Sequence, residues 1–400
     1  MYDLLLKNAR VAILEAPVDI AITGERIAAI APHLDEPATQ TCDVAGRVVL
    51  PGLVESHIHL DKALTRDRLP NRSGTLAEAI ERNHELSLQV TSQDIYTRAH
   101  ETALWALRCG TTTLRTHVNV DPFIELKGLH ALLELRERLR HLLDIQIVAL
   151  PHRLVGPERR RGRELLEAAL IEGADAVGGA TVVEDDQRAF VDEVFRMALR
   201  YQKAIDLHID ESESPRDFTL DYLAERTRQE GYEGRVVAGH CCSLAAVDDA
   251  LAARTIELVA RARIAVVTLP ASNLYLQGRA DRQPIRRGLT RVKELIAAGV
   301  DVCCGSDNIK DMFNPFGQPD LLLMAHLLGY AAQMGARDEQ GYLLDSITTR
   351  PAKALGRTGT LSTGAPADLL LLEVQQVGDV ISDLPARRTV IKRGRVMVFE

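Results

Sequence analysis

The stretch Val49-Leu50-Pro51-Gly52-Leu53-Val54-Glu55-Ser56-His57-Ile58-His59-Leu60-Asp61 divides the chain into two textures. Ahead of it, short apolar runs (Leu4 to Leu6, Arg10 to Ile13, Asp19 to Ile22, Ile27 to Ile30, Val48 to Leu50) are punctuated by Gly24 and Gly46, the pattern of a small sheet without helices. Beyond Pro51, β-rich apolar runs alternate with long helical patterns, which is the signature of βα units around a parallel sheet. The runs are Leu53 to Ile58, Thr111 to Val118, Ile145 to Leu150, Ala174 to Gly178, Ala204 to Ile209, Val236 to His240, Ile264 to Leu269 and Val300 to Cys304. Helices are predicted between them at Leu76 to Val90, Ser92 to Arg108 and Leu126 to Leu143, among others, with Gly110 and Gly299 as stops. Eight such units over residues 51–354 predict a (β/α)8 TIM-like barrel. After Leu355 short strands return (Asp368 to Leu372, Thr389 to Lys392, Arg395 to Phe399), so residues 1–50 plus 355–400 are expected to form one small β-sandwich domain.

Composition narrows the function classes. The 400 residues are 46% hydrophobic and 26% charged, the balance of a soluble chain with a sizeable core. A net charge of −8 argues against a nucleic-acid polymer as partner, because a phosphate backbone calls for a basic field. The exception, Arg159-Arg160-Arg161 with Arg163, reads as a solvated helix start. The six cysteines form no CxxC pair, which suits a reducing compartment, and Met1-Tyr2-Asp3-Leu4 lacks a basic leader. The longest run without Asp, Glu, Lys or Arg in the last third, Leu321 to Ala336, has 16 residues and contains His326, so no membrane span is expected. The expected location is the cytoplasm.

Barrels of this kind build their active sites at the carboxyl ends of the strands. His57 and His59, two apart on a strand, put both imidazoles on one side, where they can hold one metal ion. His117, His152, His208 and His240 follow the second, third, fifth and sixth strands, and Asp307 follows the eighth. Half of the twelve histidines thus sit at predicted strand ends, which a random scatter would not produce.

The segment from Val49 to His59 resembles the first-strand signature of the amidohydrolase superfamily, and Gly364-Ala365-Pro366-Ala367-Asp368-Leu369-Leu370-Leu371-Leu372 resembles its returning β domain. Glu55 to Asp61, Ser73-Gly74-Thr75-Leu76, Arg115-Thr116-His117-Val118, Leu276-Gln277-Gly278-Arg279 and Arg286 to Glu294 are similar, in order, to the bacterial cytosine deaminase family. The resemblance implies one divalent ion per chain (zinc, iron or manganese) on His57, His59, His208 and Asp307. The chain has no lysine from Gly128 to Gln202, where a binuclear relative needs a carboxylated one. The resemblance further implies that Glu211 shuttles protons to a ring nitrogen and to the leaving amine, that His240 orients the attacking water, and that Asp307 accepts its proton. From its neighbours alone Glu211 reads as a surface carboxylate beside Asp210 and Glu213, and Asp210 is read as structural.

The pocket departs from the family. Pro151-His152 stands where cytosine deaminases carry a glutamine that reads the pyrimidine amide, and Asn308, Phe313 and Leu150 replace an aspartate, a tryptophan and an aromatic. Imidazole cannot make the paired donor and acceptor contact of a carboxamide, so the expectation is a retained reaction on an altered ring. His152, Asn308, Phe313, Leu76 and Gln277 are the candidate substrate contacts, with Phe313 open between a ring-stacking face and an apolar wall. His117 stays open between a role behind the ligands and substrate contact. Ser306-Asp307-Asn308-Ile309-Lys310-Asp311 also resembles N-isopropylammelide amidohydrolase, which removes an alkylamine from a triazine. Ammonia release from an amino-substituted heterocycle is the leading expectation and alkylamine release the alternative. A non-catalytic scaffold would have discarded ligand histidines. His84-Glu85 and His100-Glu101 lack the second histidine of HExxH, and the H-x-E and G-x-S-x-G motifs are absent. The expected partners are a small heterocycle and further copies of the chain, with no nucleic acid or membrane.

Overall fold

The computed structural model describes residues 1–12, 16–156 and 159–398. Five strands come first: β1 (Tyr2–Ala9), β2 (Val18–Thr23), β3 (Arg26–Ala31), β4 (Ala38–Asp43) and β5 (Val48–Pro51). Eight follow with helices between them: β6 (Leu53–Ile58), β7 (Thr111–Asn119), β8 (Asp144–Leu150), β9 (Ala176–Val177), β10 (Ala204–Ile209), β11 (Val236–His240), β12 (Ala265–Thr268) and β13 (Val302–Cys304). The last three are β14 (Leu369–Leu372), β15 (Arg388–Lys392) and β16 (Arg395–Val396).

Strands β6 to β13 lie side by side in chain order, all parallel, as the expected barrel requires. Every residue of β6, β7, β11, β12 and β13 is buried, because helices cover the outside and side chains fill the inside. The seam closes at the carboxyl end, where the Asp307 amide donates to the His57 carbonyl (2.8 Å) and the His59 amide donates to the Asp307 carbonyl (3.1 Å). Glu55 pins the same seam from below, accepting from the His57 amide, the Ser306 amide and the Ser306 hydroxyl. Gly305 lies beside it because a Cβ there would sit 2.9 Å from Glu55 Oε1.

The remaining strands form two four-stranded sheets, ordered β3-β2-β1-β4 and β16-β15-β14-β5, so strands from both chain ends meet in the second. One apolar core lies between them, with Leu4, Leu6, Ile20 and Ile22 against Val49, Leu369, Leu371 and Ile391. Lys392, fully buried, ties this unit to the barrel by donating to Asp144 Oδ2 (2.7 Å), Asp368 Oδ2 (2.6 Å) and the Thr112 carbonyl.

Several strand expectations change. Arg10 makes only an isolated bridge to Val48 rather than opening a strand, and Ile13 and Phe399 lie outside the described residues. Strand β4, Ala-Thr-Gln-Thr-Cys-Asp, is an edge strand pairing in parallel with β1, and its exposed faces leave no apolar alternation to read. β9 shrinks to two residues as the chain passes tightly at Gly178, where a Cβ would lie 2.7 Å from Val148 Cγ1 and 2.8 Å from the Ala149 carbonyl.

Candidate metal centre and active site

The ends of three strands, β6, β10 and β13, deliver the expected ligands to one point. His57 Nε2 lies 3.1 Å from His208 Nε2, and His59 Nε2 lies 3.0 Å from the same atom. Asp307 Oδ1 stands 3.6 Å from His57 Nε2 and 3.3 Å from His59 Nε2. His240 joins from β11, so that His57, His208, His240 and Asp307 each offer a ligand atom within 4.8 Å of the others. The backbone is bent to achieve this: Asp210, His240 and Asp307 all adopt left-handed φ values (53°, 67° and 62°), at about 1–3 kcal/mol each. Such strain at three strand ends is tolerated because the closed barrel over-determines them.

The donor set fits a divalent cation. Two imidazole nitrogens within 3.1 Å of a third cannot all be satisfied by hydrogens on one another, whereas a cation accepts all three lone pairs. Asp307 Oδ2, His240 Nε2 and the Nδ1 atoms of His57, His59 and His208 are buried without a hydrogen-bond partner. Burial pushes the His59 imidazole down to about 4 and that of His240 to about 3, and holds His208 well below its ordinary value. These rings are therefore neutral ligands at pH 7. Burial pushes the Asp307 carboxyl up, but hydrogen bonding from His57 and His59 outweighs it and holds the group ionised.

Glu211 is buried rather than at the surface, with Oε2 3.7 Å from His240 Nε2. Burial, and then the charge of Asp307, raise its carboxyl well above the usual range, with Lys62 opposing. Burial thus favours the protonated form of this carboxyl beside the ligand cluster. His240 is oriented from behind, its Nδ1 3.1 Å from Asn273 Nδ2. Asp210 turns away and caps the next helix, accepting from the Thr219 amide and hydroxyl and the Leu220 amide.

One cavity adjoins this cluster. His59, His208, Glu211 and Asp307 form one side; Leu76, Ile80, Leu150, Val182, Val183 and Phe313 supply apolar walls; Lys62, Asn83, Asn119, His152 and Asn308 add polar groups. Leu76, Ile80 and Asn83 come from one face of the helix Leu76–Ser87. The Asn308 amide nitrogen is tied to Asp311 Oδ2 (2.8 Å), which leaves its oxygen for a ligand. Of the expected substrate contacts, His152, Asn308, Phe313 and Leu76 line the cavity, while Gln277 instead donates to the Glu211 carbonyl (3.3 Å). His117 lies behind the cluster, its ring 4.1 Å from that of His57, with Asp206 and the buried Arg115–Asp206 ion pair beneath it. Sequence reasoning missed Lys62 and Asn119, whose side chains are joined at 3.3 Å. A lysine three residues beyond His-x-His and an asparagine at a strand end were the available signals.

Residues 110–398 match the family model described as Amidohydrolase family. A pterin deaminase of Rhizobium rhizogenes is 32% identical over 395 residues, spanning 95% of this chain and 87% of the relative. An N-isopropylammelide isopropyl amidohydrolase of Pseudomonas sp. is 30% identical over 406 residues, spanning 99% of this chain and 97% of the relative. Among solved structures, 5-methylcytosine deaminase from Klebsiella pneumoniae liganded with 5-fluorocytosine superposes with a TM-score of 0.93 at 32% identity, covering 99% of this chain and 97% of that one.

Proposed function

The chain belongs to the amidohydrolase family, and we propose that it is a metal-dependent hydrolytic deaminase of a planar, amino-substituted nitrogen heterocycle. The observation that carries this reading is the buried Glu211 carboxyl on the same cavity wall as Asp307, His59 and His208. His57, His59, His208 and Asp307 would hold a divalent cation, which would supply the Lewis acidity that makes water nucleophilic near neutral pH. His240 Nε2 orients that water toward the ring carbon, and Asp307 Oδ2, which has no other partner, takes its proton. Glu211 delivers its own proton to a ring nitrogen, takes the proton of the hydroxyl now on the ring carbon and passes it to the departing amine, and is reset by the proton that Asp307 accepted. The apolar walls flank the ring faces and exclude bulk water, while Lys62, Asn119, His152 and the Asn308 oxygen meet its edge. His152, pushed down to about 4 by burial, reads that edge as a neutral imidazole.

The His57, His59, His208 and Asp307 cluster supports one tightly held ion per chain, zinc, iron or manganese. Residues 51–354 are read as the catalytic barrel, with 1–50 and 355–400 as the domain that buttresses it. Six free thiols support a cytoplasmic location, and the exposed side chains of Ile285, Phe316 and Tyr330 support self-association. Among the described residues no helix is long and apolar enough to cross a membrane.

A second reading, loss of an alkylamine from an aminotriazine, is favoured by the Pseudomonas relative and by the apolar side chains Ile80, Val182 and Val183, which suit an alkyl group. The test is a panel of cytosine, isocytosine, methylated cytosines, pterin, aminotriazines and N-alkylated analogues, assayed for both ammonia and alkylamine. Ammonia from an unsubstituted amino ring is the expected result. Alkylamine release alone selects the second reading, and no amine from any member overturns both.

A further inference from the structure

A second group of ligand atoms gathers around His152, the one of its three members that lines the cavity. His84 on the helix Leu76–Ser87, Asp121 after β7 and His152 after β8 each offer an atom within 4.8 Å of the other two. His152 Nδ1 is 3.4 Å from His84 Nε2 and 3.6 Å from Asp121 Oδ2. A tetrahedral ion with bonds of about 2.1 Å separates its ligands by about 3.4 Å, so these spacings are those of a coordination shell. They also match the 3.0–3.6 Å spacings of the His57–His59–His208–Asp307 cluster.

Two of the three side chains are held in place by other contacts. Asp121 is fully buried, and its Oδ1 accepts from the amides of Phe123 (2.8 Å) and Ile124 (3.3 Å), which leaves Oδ2 toward the rings. Asn119 Nδ2 also donates to Oδ2 at 3.2 Å, an outer partner that orients a ligating carboxylate. The His84 ring is stacked on Phe123, with centroids 4.3 Å apart and planes 15° from parallel.

We propose that His84, Asp121 and His152 form a second, zinc-type cation site, and that its occupation inhibits the enzyme. Two imidazoles and one carboxylate suit zinc, and three protein ligands leave one position open. One anionic ligand near Lys62 and Arg153 makes a weaker site than the main cluster, one that fills only when zinc is in excess. Inhibition follows because His152 lines the cavity, and an ion on its Nδ1 locks the ring and places positive charge at the substrate's edge. The inhibitory consequence rests on His152 as a substrate contact. Binding itself does not, so stoichiometry and turnover fail separately.

The test titrates zinc into enzyme already carrying its tightly held ion, by calorimetry with parallel metal analysis, and follows turnover at each ratio. One further equivalent is expected in the wild type, accompanied by loss of activity. His84→Ala, a side chain outside the cavity lining, should keep the first ion and turnover while binding the second at least about 100-fold more weakly. That figure is set by the 10- to 100-fold that outer partners alone contribute to metal affinity. Asp121→Asn, which preserves the Phe123 and Ile124 hydrogen bonds, should lose the second equivalent likewise. Absence of a second equivalent in the wild type, or its persistence in both variants, overturns the site. Binding without inhibition overturns the regulatory part alone.

Discussion

Replacing Glu211 by glutamine separates proton transfer from everything else the residue does. The carboxyl is buried, and burial raises its ionisation well above the usual range, which favours the neutral acid. Glutamine has the same shape and charge as that acid but cannot give up a proton. The fold should barely notice, with a stability change within about 1 kcal/mol. The four ligands are untouched, so metal content should be unchanged. Turnover should fall steeply, because one positioned acid–base group contributes roughly 10²- to 10⁴-fold and Glu211 serves two transfers in each cycle. At about 1.36 kcal/mol per decade, that is about 3–5 kcal/mol of barrier. The assay is ammonia release at saturating substrate, with bound metal measured on the same sample and thermal melting as a control. The loss should lie in kcat, with KM little changed, since the substrate's edge meets other side chains. Turnover within about tenfold of wild type in a fully metallated variant would falsify the shuttle. Loss of metal from the variant would make Glu211 a ligand instead.

Removal of the metal by a chelator should abolish activity and lower Tm by several degrees, since an ion at 1,000 times its Kd contributes about 4 kcal/mol. Titrating zinc, iron or manganese back into the stripped protein identifies the effective ion. Asn273→Ala leaves His240 Nδ1 without its partner at 3.1 Å, and kcat should drop roughly 10- to 100-fold while metal content holds. Lys392→Met strands two carboxylates between barrel and sandwich, and should cost about 1–3 kcal/mol in urea unfolding at pH 7. Burial raises the Asp144 carboxyl, but the charge and hydrogen bond of Lys392, with the charges of Arg393 and Arg357, together outweigh it and hold the group below its ordinary value of 3.8. Its contribution is therefore present above that pH and lost as pH falls through the folded value, so wild type and variant should converge on acidification.

The barrel was legible because its strands are buried on both faces and so read as short apolar runs, as in Val236–Gly239 and Ala265–Val267. The ligands were legible because polar residues that end such runs have no structural reason to be there. Legibility fails where one residue type serves two ends. Leu76, Ile80 and Asn83 form an ordinary helical stripe, and nothing in their spacing says that the stripe faces a cavity rather than a core. Lys62 and Asn119 meet across 57 positions of sequence, and His84 reaches His152 across 68, pairings that only strand order brings about. Gln277 misleads for a related reason: a motif position gives proximity to Glu211 but not the direction of its amide.

Asp307 is both a ligand and the closing stitch of the barrel, and this duality links folding to chemistry. Its amide and carbonyl join β6 through His57 and His59, the two residues whose rings share its carboxylate's neighbourhood. The ligand spacing is thus set by sheet closure, which permits no more than the small adjustments of a hydrogen-bonded ladder, and not by a mobile loop. The left-handed φ of 62° at Asp307 is tolerated for the same reason, because the His57, His59 and Glu55–Ser306 hydrogen bonds hold the backbone on both sides. An ion bound there adds stability to the seam, and a loosened seam weakens ion binding by the same free energy, since linkage is reciprocal. Substrate specificity escapes most of this constraint: apart from Lys62, Asn308 and Phe313, the cavity's other walls come from the helix Leu76–Ser87, from Asn119 and Leu150 at the ends of β7 and β8, and from the segments after β8 and β9. Those residues can change without disturbing the stitch, which is how a chain can keep the ligands and the acid while replacing the residues that read the ring.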